Sequence, residues 1–358
     1  MNAFVNTVKR LASRWFIDAF SGMAQGLFCT LIAGTILGQI ASWLGEGTIA
    51  TSINLIAAIA KTLMGAGIGV GIAHALKTNK LVMFSAAVAG FAGAFADKII
   101  SGGFALTVGA PGNPIGAYVV SLLAIEIASL YAGKTKLDIL IVPLGMMILT
   151  FFGFYLAYPF IWLINQLGVL IAKATSITPF FMGIIISVVM GVLLTMPTSS
   201  AAIWIAVASG VTDDAMLIAG GAAVVGCSCH MIGFAVSSFR ENGISGLISQ
   251  GIGTSMLQIP NIMKRPAIML PEIISSAILG PIATCVFQLK CNAAGGGMGT
   301  SGLVGVFGTI SASSDMSPWL LALAIALLLF ILPAAISFAF SELFRKIGLI
   351  RYGDQKLA

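Results

Sequence analysis

The stretch that decides the fold is Cys291-Asn292-Ala293-Ala294-Gly295-Gly296-Gly297-Met298-Gly299-Thr300-Ser301-Gly302-Leu303-Val304-Gly305. It carries no charge and lies between two strongly apolar segments, residues 273–289 and 316–341. Each glycine costs roughly 1 kcal/mol relative to alanine in a helix, so the stretch is a poor helix former. Non-helical backbone cannot face lipid, because its N–H and C=O groups would lack partners. The stretch therefore predicts a segment sheltered by protein, at a place that holds something other than lipid.

The composition indicates a membrane protein around that stretch. Of 358 residues, 58% are hydrophobic and 8% are charged, and the mean hydropathy is +1.05. Soluble domains have about a quarter of their residues charged. The net charge of +6 does not predict a nucleic-acid partner, because the basic residues lie mainly in short loops and at the ends. The five cysteines predict no disulfide framework, and no sequence motif predicts a cofactor.

We predict an all-α polytopic membrane protein with about ten transmembrane helices and broken or re-entrant segments. A spanning helix needs about 20 apolar residues, and the uncharged runs of the chain meet that need repeatedly. Residues 243–263 are apolar but rich in glycine, which favours a re-entrant or surface helix pair over a crossing. The fifth span is expected over residues 138–163.

The expected domain order follows from these runs. Residues 1–16 predict an amphipathic surface helix, residues 17–176 a first membrane half, residues 177–346 a second half with the solute-site loops, and residues 347–358 a tail. With ten crossings, most lysines and arginines fall on one side, which predicts that both termini are cytoplasmic.

Three uncharged breaks interrupt the apolar regions: residues 111–114, 197–200 and 295–301. Broken helices present free backbone N–H groups and neighbouring hydroxyls, which suit an anionic or hydroxylated solute. The alternative is that each break is a kink or a turn at a membrane surface. The candidate solute contacts in the breaks are Asn113, Thr198, Ser199, Ser200, Gly297, Gly299, Thr300 and Ser301.

Two ionisable residues inside predicted spans add to these candidates. Glu126 lies about halfway along its span, where a carboxylate is costly and by default functional; the alternative is a structural ion pair. His230 is a candidate for bonding a sugar hydroxyl or for titration near neutral pH. Together with Cys227 and Cys229 it could suggest a metal, but neighbouring helical positions point in different directions, so we predict no metal site. Glu272 is expected only to begin a helix.

Arg240, Glu241 and Asn242 place opposite charges side by side at a helix end. They predict either a gate on the cytoplasmic side or a simple helix cap. The chain carries no phosphate-binding loop, dinucleotide fingerprint or nucleophile triad, so nothing predicts an enzyme that acts on its own.

Five motifs carry a resemblance to a known family. They are Pro-Thr-Ser-Ser-Ala-Ala (197–202), Gly-Phe-Ala-Val-Ser-Ser-Phe-Arg-Glu-Asn-Gly (233–243), Gln-Gly-Ile-Gly-Thr-Ser-Met-Leu-Gln-Ile-Pro-Asn (250–261), Ala-Ile-Leu-Gly-Pro-Ile-Ala-Thr (277–284) and Gly-Met-Gly-Thr-Ser-Gly-Leu-Val-Gly (297–305). The chain resembles the EIIC-like membrane proteins of the bacterial phosphotransferase system. Within them it is most similar to the subgroup that includes the perfringolysin regulatory protein.

The resemblance implies a carrier in the bacterial plasma membrane that forms a homodimer of ten-span subunits. Well-studied EIIC domains bind a sugar with a glutamate and a histidine, and a partner protein phosphorylates it. This chain shows neither their glutamate-containing loop nor a fused EIIA or EIIB domain, so EIIA- or EIIB-type phosphocarriers would be separate proteins. Neither His230 nor Glu126 receives a role by motif.

The leading hypothesis is an integral membrane carrier for a small polar solute such as a sugar or sugar derivative. The alternative is a membrane sensor that regulates gene expression and binds its ligand without moving it. A third interpretation is an ion channel.

Overall fold

A computed structural model describes residues 10–11, 13–196 and 200–357 of the chain. Every regular element in those ranges is helical, which confirms the all-α class. The chain divides into two compact units, and the boundary falls after Gln166, within one long helix. The first unit contains α1 (Arg14–Trp43), α2 (Thr48–Thr62), α3 (Met64–Ala75), α4 (Lys80–Gly93), α5 (Ala96–Ile100), α6 (Pro114–Tyr131) and the beginning of α7 (Asp138–Ile177).

The second unit contains the end of α7 and nine further helices. They are α8 (Pro179–Thr195), α9 (Ser200–Ala208), α10 (Asp214–Ser237), α11 (Phe239–Ile248), α12 (Ile259–Lys264), α13 (Pro266–Phe287), α14 (Ala293–Gly296), α15 (Ser301–Ala312) and α16 (Pro318–Lys346). Between α11 and α12 the chain forms two short helical turns, Ser249–Gly253 and Ser255–Gln258.

Six described helices are long and apolar enough to cross a membrane: α1, α6, α7, α10, α13 and α16. Helices α2 and α3 form a pair bent by 54°, which gives a seventh candidate if the pair is one span. Helices α4, α8 and α15 are apolar but shorter than the roughly 20 residues that a straight crossing needs. The protein is thus a multi-pass membrane protein with a bent segment, and the expected number of about ten crossings is not confirmed.

Close backbone contacts at glycines hold the first unit together. Gly22 of α1 lies directly against the carbonyl of Gly71 in α3, and Gly26 lies against that of Gly67 one turn away. Each helix therefore offers a Gly-x-x-x-Gly face to the other. Small residues let membrane helices approach until their backbones touch, where van der Waals contact replaces the missing hydrophobic driving force.

Helix α10 is the centre of the second unit. In its apolar window 78% of the residues are buried within the chain, against 22% for α7. It packs against α8, α13 and α16. Gly226 lies against the carbonyl of Ser187 in α8, so these two backbones also meet without side chains between them. Most of the surface of α10 is therefore covered by the rest of the chain rather than by lipid.

The long helix α7 differs from the sequence-based expectation. It was expected to end at residue 163, but it runs on for 40 residues in total and contains Pro143 and Pro159. Residues 164–177 contain one charge, Lys173, and no glycine pair or proline that would end a helix. The polar residues Asn165 and Gln166 are therefore within the helix rather than in a connecting loop.

Candidate functional site

The glycine-rich stretch folds into a buried turn in the second unit. We call residues 295–303 the glycine loop. Asn292 caps α14, since its side-chain oxygen accepts from the N–H of Gly295 at 2.9 Å. Gly299 has φ +56°, and a methyl group there would lie 2.8 Å from backbone atoms of Cys227 and Ser228 in α10. The loop thus needs glycine at this position for both its conformation and its close approach to α10.

Side-chain hydroxyl groups bond the glycine loop to two neighbouring segments, the turn of residues 249–253 and the start of α9. The hydroxyl of Thr300 donates to the carbonyl of Gly251 at 2.6 Å, and that of Ser301 donates to the carbonyl of Gly253 at 2.9 Å. The hydroxyl of Ser200, at the start of α9, donates to the carbonyl of Gly297 at 2.7 Å. The loop is therefore bonded to α9 and to the turn formed by residues 249–253.

His230 lies on α10 and is fully buried; it precedes Met231, whose sulfur is 3.6 Å from the hydroxyl of Thr300. Its Nδ1 is 2.9 Å from the hydroxyl of Thr195, and that hydroxyl is 3.0 Å from the hydroxyl of Ser255. Its Nε2 is buried and has no hydrogen-bond partner among the described residues. One ring nitrogen is thus held in place while the other is free to bond.

The structure places six of the predicted site residues in the second unit, five of them in the glycine loop or bonded to it and His230 on the adjoining helix α10. They are Ser200, His230, Gly297, Gly299, Thr300 and Ser301. Thr198 and Ser199 lie outside the described residues. Glu126 and Asn113 belong to the first unit and have partners there.

Asn113 caps α6 in the first unit. Its side-chain oxygen accepts from the N–H groups of Ile115 and Gly116 at 2.9 and 3.2 Å. Helix capping by asparagine satisfies backbone donors that would otherwise lack a partner. The loop that precedes it, residues 101–112, is exposed over most of its length.

Glu126 is in an ion pair. Its Oε1 accepts from Nε of Arg14 at 2.7 Å and from the indole N–H of Trp15 at 3.1 Å. The side chains of Arg14 and Glu126 are 33% and 26% exposed, so the pair is only partly buried.

The three predicted gating residues contact elements far along the chain rather than one another. Arg240 pairs with Glu342 of α16 at 3.1 Å. Both oxygens of Glu241 accept from Arg345 at 3.1 Å, and the side chain of Glu241 is fully buried. Asn242 donates to the carbonyl of Gln355 at 2.9 Å and accepts from the N–H of Leu357 at 2.8 Å.

The segment 350–357 docks onto this same surface. Gln355 is fully buried, and its carbonyl also accepts from the amide of Gln258 at 2.9 Å. Gln258 donates in turn to Gln250 at 2.8 Å. A cleft of about 710 Å³ lies beside it, lined by Glu241, Asn242, Ser245, Gly246, Ser249, Met256, Leu257, Pro260, Lys356 and Leu357.

Sequence reasoning missed several residues of this polar interior. Glu272 is in the first turn of its helix, as expected, but it is fully buried, and Thr195, Ser255, Gln250 and Gln258 were not singled out. A buried carboxylate in an apolar run is a usable signal. Single hydroxyl and amide residues give none, because they are common in membrane helices.

No group of three metal-ligating side chains capable of holding an ion occurs among the residues the structure describes. Around the glycine loop the described polar groups are hydroxyls, amides, backbone carbonyls and one histidine. Such groups can form hydrogen bonds with a hydroxyl-rich molecule.

Comparison with known families identifies the chain. A family model described as "Phosphotransferase system, EIIC" matches residues 17–357. The chain belongs to this EIIC family. It is therefore a membrane transport component for sugar-like solutes, one that is not catalytic on its own. Searches of curated proteins and of solved structures each found no significant match. The similarity to the perfringolysin regulatory subgroup stays a prediction.

Proposed function

We propose that this EIIC protein is a carrier in the bacterial plasma membrane that binds a sugar or sugar derivative inside its second unit. One observation carries the proposal: hydroxyl–carbonyl pairs bond the glycine loop both to the 249–253 turn and to the start of α9, and the loop contacts α10 next to the buried His230, at Met231. Irregular backbone at membrane depth is tolerated where it is buried in protein or lines a polar cavity, and transporters place their solute sites at such breaks.

The hydroxyl–carbonyl pairs suggest how the solute enters. Separating the glycine loop from the 249–253 turn frees the hydroxyls of Thr300 and Ser301 and the carbonyls of Gly251 and Gly253. Buried polar groups need partners. A sugar hydroxyl both donates and accepts, so it can replace each broken pair, and the unpaired Nε2 of His230 offers one more contact.

The proposal is tested by binding. A thermal-shift screen of the purified protein against sugars, sugar acids and nucleosides identifies the solute, because a ligand that binds only the folded state raises the melting temperature. Thr300→Val and Ser301→Ala are then expected to abolish the shift while the variants still fold. The control is Thr150→Val, which removes the hydrogen bond from another buried hydroxyl, to the carbonyl of Met146 in α7. Unchanged affinity in the first two variants would overturn the proposed site.

The remaining predicted contacts are tested in the same assay. Thr198 and Ser199 stay predicted contacts of this site, and alanine at Ser199 is expected to abolish binding. Asn113 and Glu126, in the first unit, stay predictions from the sequence that the second-unit site does not include: the sequence predicts that alanine at Asn113 abolishes binding, whereas the second-unit site predicts unchanged affinity. Unchanged affinity would remove a residue from the site without affecting the others.

A transport assay distinguishes the carrier hypothesis from the sensor hypothesis. Proteoliposomes that contain the protein are expected to take up the solute with saturable kinetics. Ligand binding without uptake would favour the sensor that regulates gene expression. Conductance without saturation would favour a channel.

The assembly is part of the same proposal. We infer a homodimer with both termini cytoplasmic, which follows from the family resemblance and the distribution of basic residues. Phosphorylation of the solute would need separate EIIA- and EIIB-type phosphocarriers. Transport that proceeds without them would show that this chain is not coupled to phosphorylation.

A further inference from the structure

Two carboxylates with buried side chains in the second unit have different surroundings. Glu241 accepts from Arg345 through both oxygens and from the N–H of Gly353 at 3.0 Å. Glu272 accepts one hydrogen bond at Oε1, from the hydroxyl of Ser237 at 3.0 Å. Its Oε2 is buried and has no hydrogen-bond partner among the described residues. The charge of Glu241 is thus compensated, whereas the described surroundings of Glu272 provide no cation within ion-pair distance.

The described groups next to Glu272 are uncharged. The buried hydroxyl of Ser337 has no hydrogen-bond partner in the described part of the chain, and that of Ser275, three residues along α13, interacts with the thiol of Cys229. The side chains of Ser337 in α16 and Glu272 both lie against Gly233 of α10. A methyl group on Gly233 would be 2.7 Å from the hydroxyl of Ser337 and 2.8 Å from Cγ of Glu272. The carboxyl group therefore lies among α10, α13 and α16, beside the hydroxyls of Ser237 and Ser337.

Titratable groups on the neighbouring helices do not neutralise Glu272. Helix α8, which packs on α13, carries none. On α10, His230 bonds to Thr195, and the thiol of Cys229 interacts with Glu272 without contributing positive charge. On α16, Arg345 bonds to Glu241 and to the carbonyl of Ser237 through its two terminal nitrogens, its buried Nε has no partner among the described residues, and Glu342 pairs with Arg240.

We propose that Glu272 is a proton-binding site of this carrier, which holds a proton on Oε2 in the state seen here and exchanges it during transport. A buried carboxylate without a cation is strongly unfavourable, and taking up a proton removes the charge. A proton moves from hydronium to Oε2 and leaves water behind, with no electron transferred. Protonated Oε2 becomes a donor, for which the serine hydroxyls are acceptors, and Oε1 keeps its bond from Ser237.

The protonation state is measured directly by infrared spectroscopy of the purified protein in lipid. A protonated carboxyl group has a C=O stretch distinct from that of a carboxylate. We expect this band at neutral pH in the wild type and in Glu241→Gln, and its complete loss in Glu272→Gln. Glu241 is the matched control, because it is equally buried but paired with Arg345. A band that survives Glu272→Gln, or that is absent from the wild type, would overturn the proposal.

Two further variants keep the test decisive if Glu272→Gln does not fold. Ser237→Ala removes the donor to Oε1 and is expected to shift the band, and Glu272→Asp is expected to retain a protonated carboxyl group. No shift in Ser237→Ala would contradict the assignment. A band that appears only when sodium is withdrawn would assign the site to Na⁺ instead of the proton.

The exchange step rests on the proposed carrier function. In proteoliposomes, accumulation of the solute driven by a pH gradient is expected in the wild type and is expected to be lost in Glu272→Gln, with solute binding retained. Accumulation that ignores the gradient would overturn the exchange step. If the wild type binds no sugar-like solute, the proposed function fails, while the infrared result still decides the proton site.

Discussion

The glycine loop and the loop of residues 101–113 have similar compositions but different surroundings. Both are uncharged and rich in glycine, and both interrupt apolar segments. In the first unit, Phe104, Leu106 and Val108 are 44%, 54% and 58% exposed, and no atom lies within 4 Å of a methyl group placed on Gly102. In the second unit, Thr300 is fully buried and Gly299 touches the backbone of α10.

The difference shows that the neighbours of a break decide its role. The glycine loop lies against α10, whose own small residues allow backbone contact, and nearby carbonyls accept its hydroxyls. The loop of residues 101–113 has its main polar contacts at its end, where Asn113 caps α6 and the N–H of Gly109 donates to Thr62 at 2.7 Å. It behaves as a connection, whereas the glycine loop behaves as part of a core.

Alanine at two glycines with positive φ gives the largest expected contrast. In Gly299→Ala, the new methyl group clashes with the backbone of Cys227, and the left-handed backbone conformation is strained for alanine. Together these effects are expected to lower the unfolding free energy by about 3 kcal/mol. Gly109→Ala also has positive φ, but the nearest atom is 3.8 Å away, so only the strain of about 1 kcal/mol remains. Melting of both variants in detergent measures the difference. Equal losses would mean that the glycine loop is no more tightly packed than the exposed loop.

Removing one hydroxyl from each loop is expected to give the next largest contrast. Thr300→Val leaves the carbonyl of Gly251 buried and without its donor, at a cost of about 2 kcal/mol. Thr107→Val changes an exposed residue and is expected to cost less than about 0.5 kcal/mol. The midpoints of denaturant unfolding of the two variants measure this difference in stability. A neutral Thr300→Val would show that water or lipid headgroups already reach this carbonyl.

The cap of α6 tests what the first-unit loop contributes. Asn113→Ala removes the acceptor for two backbone N–H groups and is expected to cost about 1 kcal/mol. Asn113→Ser keeps a capping hydroxyl and is expected to recover most of that loss. Unchanged stability in Asn113→Ala would rule out the capping role. Weaker solute binding in the serine variant at full stability would show that Asn113 also contacts the solute.

An ion pair close to the glycine loop is expected to have the smallest effect. Lys290 contacts Asp315 at 2.7 Å and Asp214 at 3.0 Å. The carboxylates raise the pKa of Lys290, and Lys290 lowers the pKa of Asp315. The stabilisation from Asp315 is present above the unfolded pKa of about 3.9 and is lost as pH falls through its lowered value. The stabilisation from Lys290 is present below its unfolded pKa of about 10.4 and is lost as pH rises through its raised pKa in the folded state.

Lys290→Met is therefore expected to lower the melting temperature slightly at neutral pH and low salt. The two aspartates are largely exposed, so about 1 M salt, with a Debye length of about 3 Å, should remove the difference. A loss of stability that persists in high salt would show that the methylene chain of Lys290 matters more than its charge.

The sequence predicted the membrane class, the helical fold and the position of the buried break. Glycine content, charge scarcity and the uncharged runs are local properties, and they are sufficient for these conclusions. The span count could not be obtained this way, because a run such as residues 178–196 reads as a full span while its helix, α8, has 17 residues. The environment of Glu272 was also out of reach, since it depends on Ser237 and Ser337, which lie 35 and 65 positions away in the chain.

The length of α7 has a consequence for the choice of lipid. At a rise of 1.5 Å per residue its 40 residues extend about 60 Å, roughly twice the hydrocarbon core of a typical bilayer. Most of its apolar surface is not covered by the rest of the chain. A helix longer than the hydrocarbon core tilts, kinks at residues such as Pro143 and Pro159, or locally thickens the bilayer, so the acyl-chain length of the lipid is expected to affect this protein. Reconstitution into thin and thick bilayers should therefore give different uptake rates for the same amount of folded carrier.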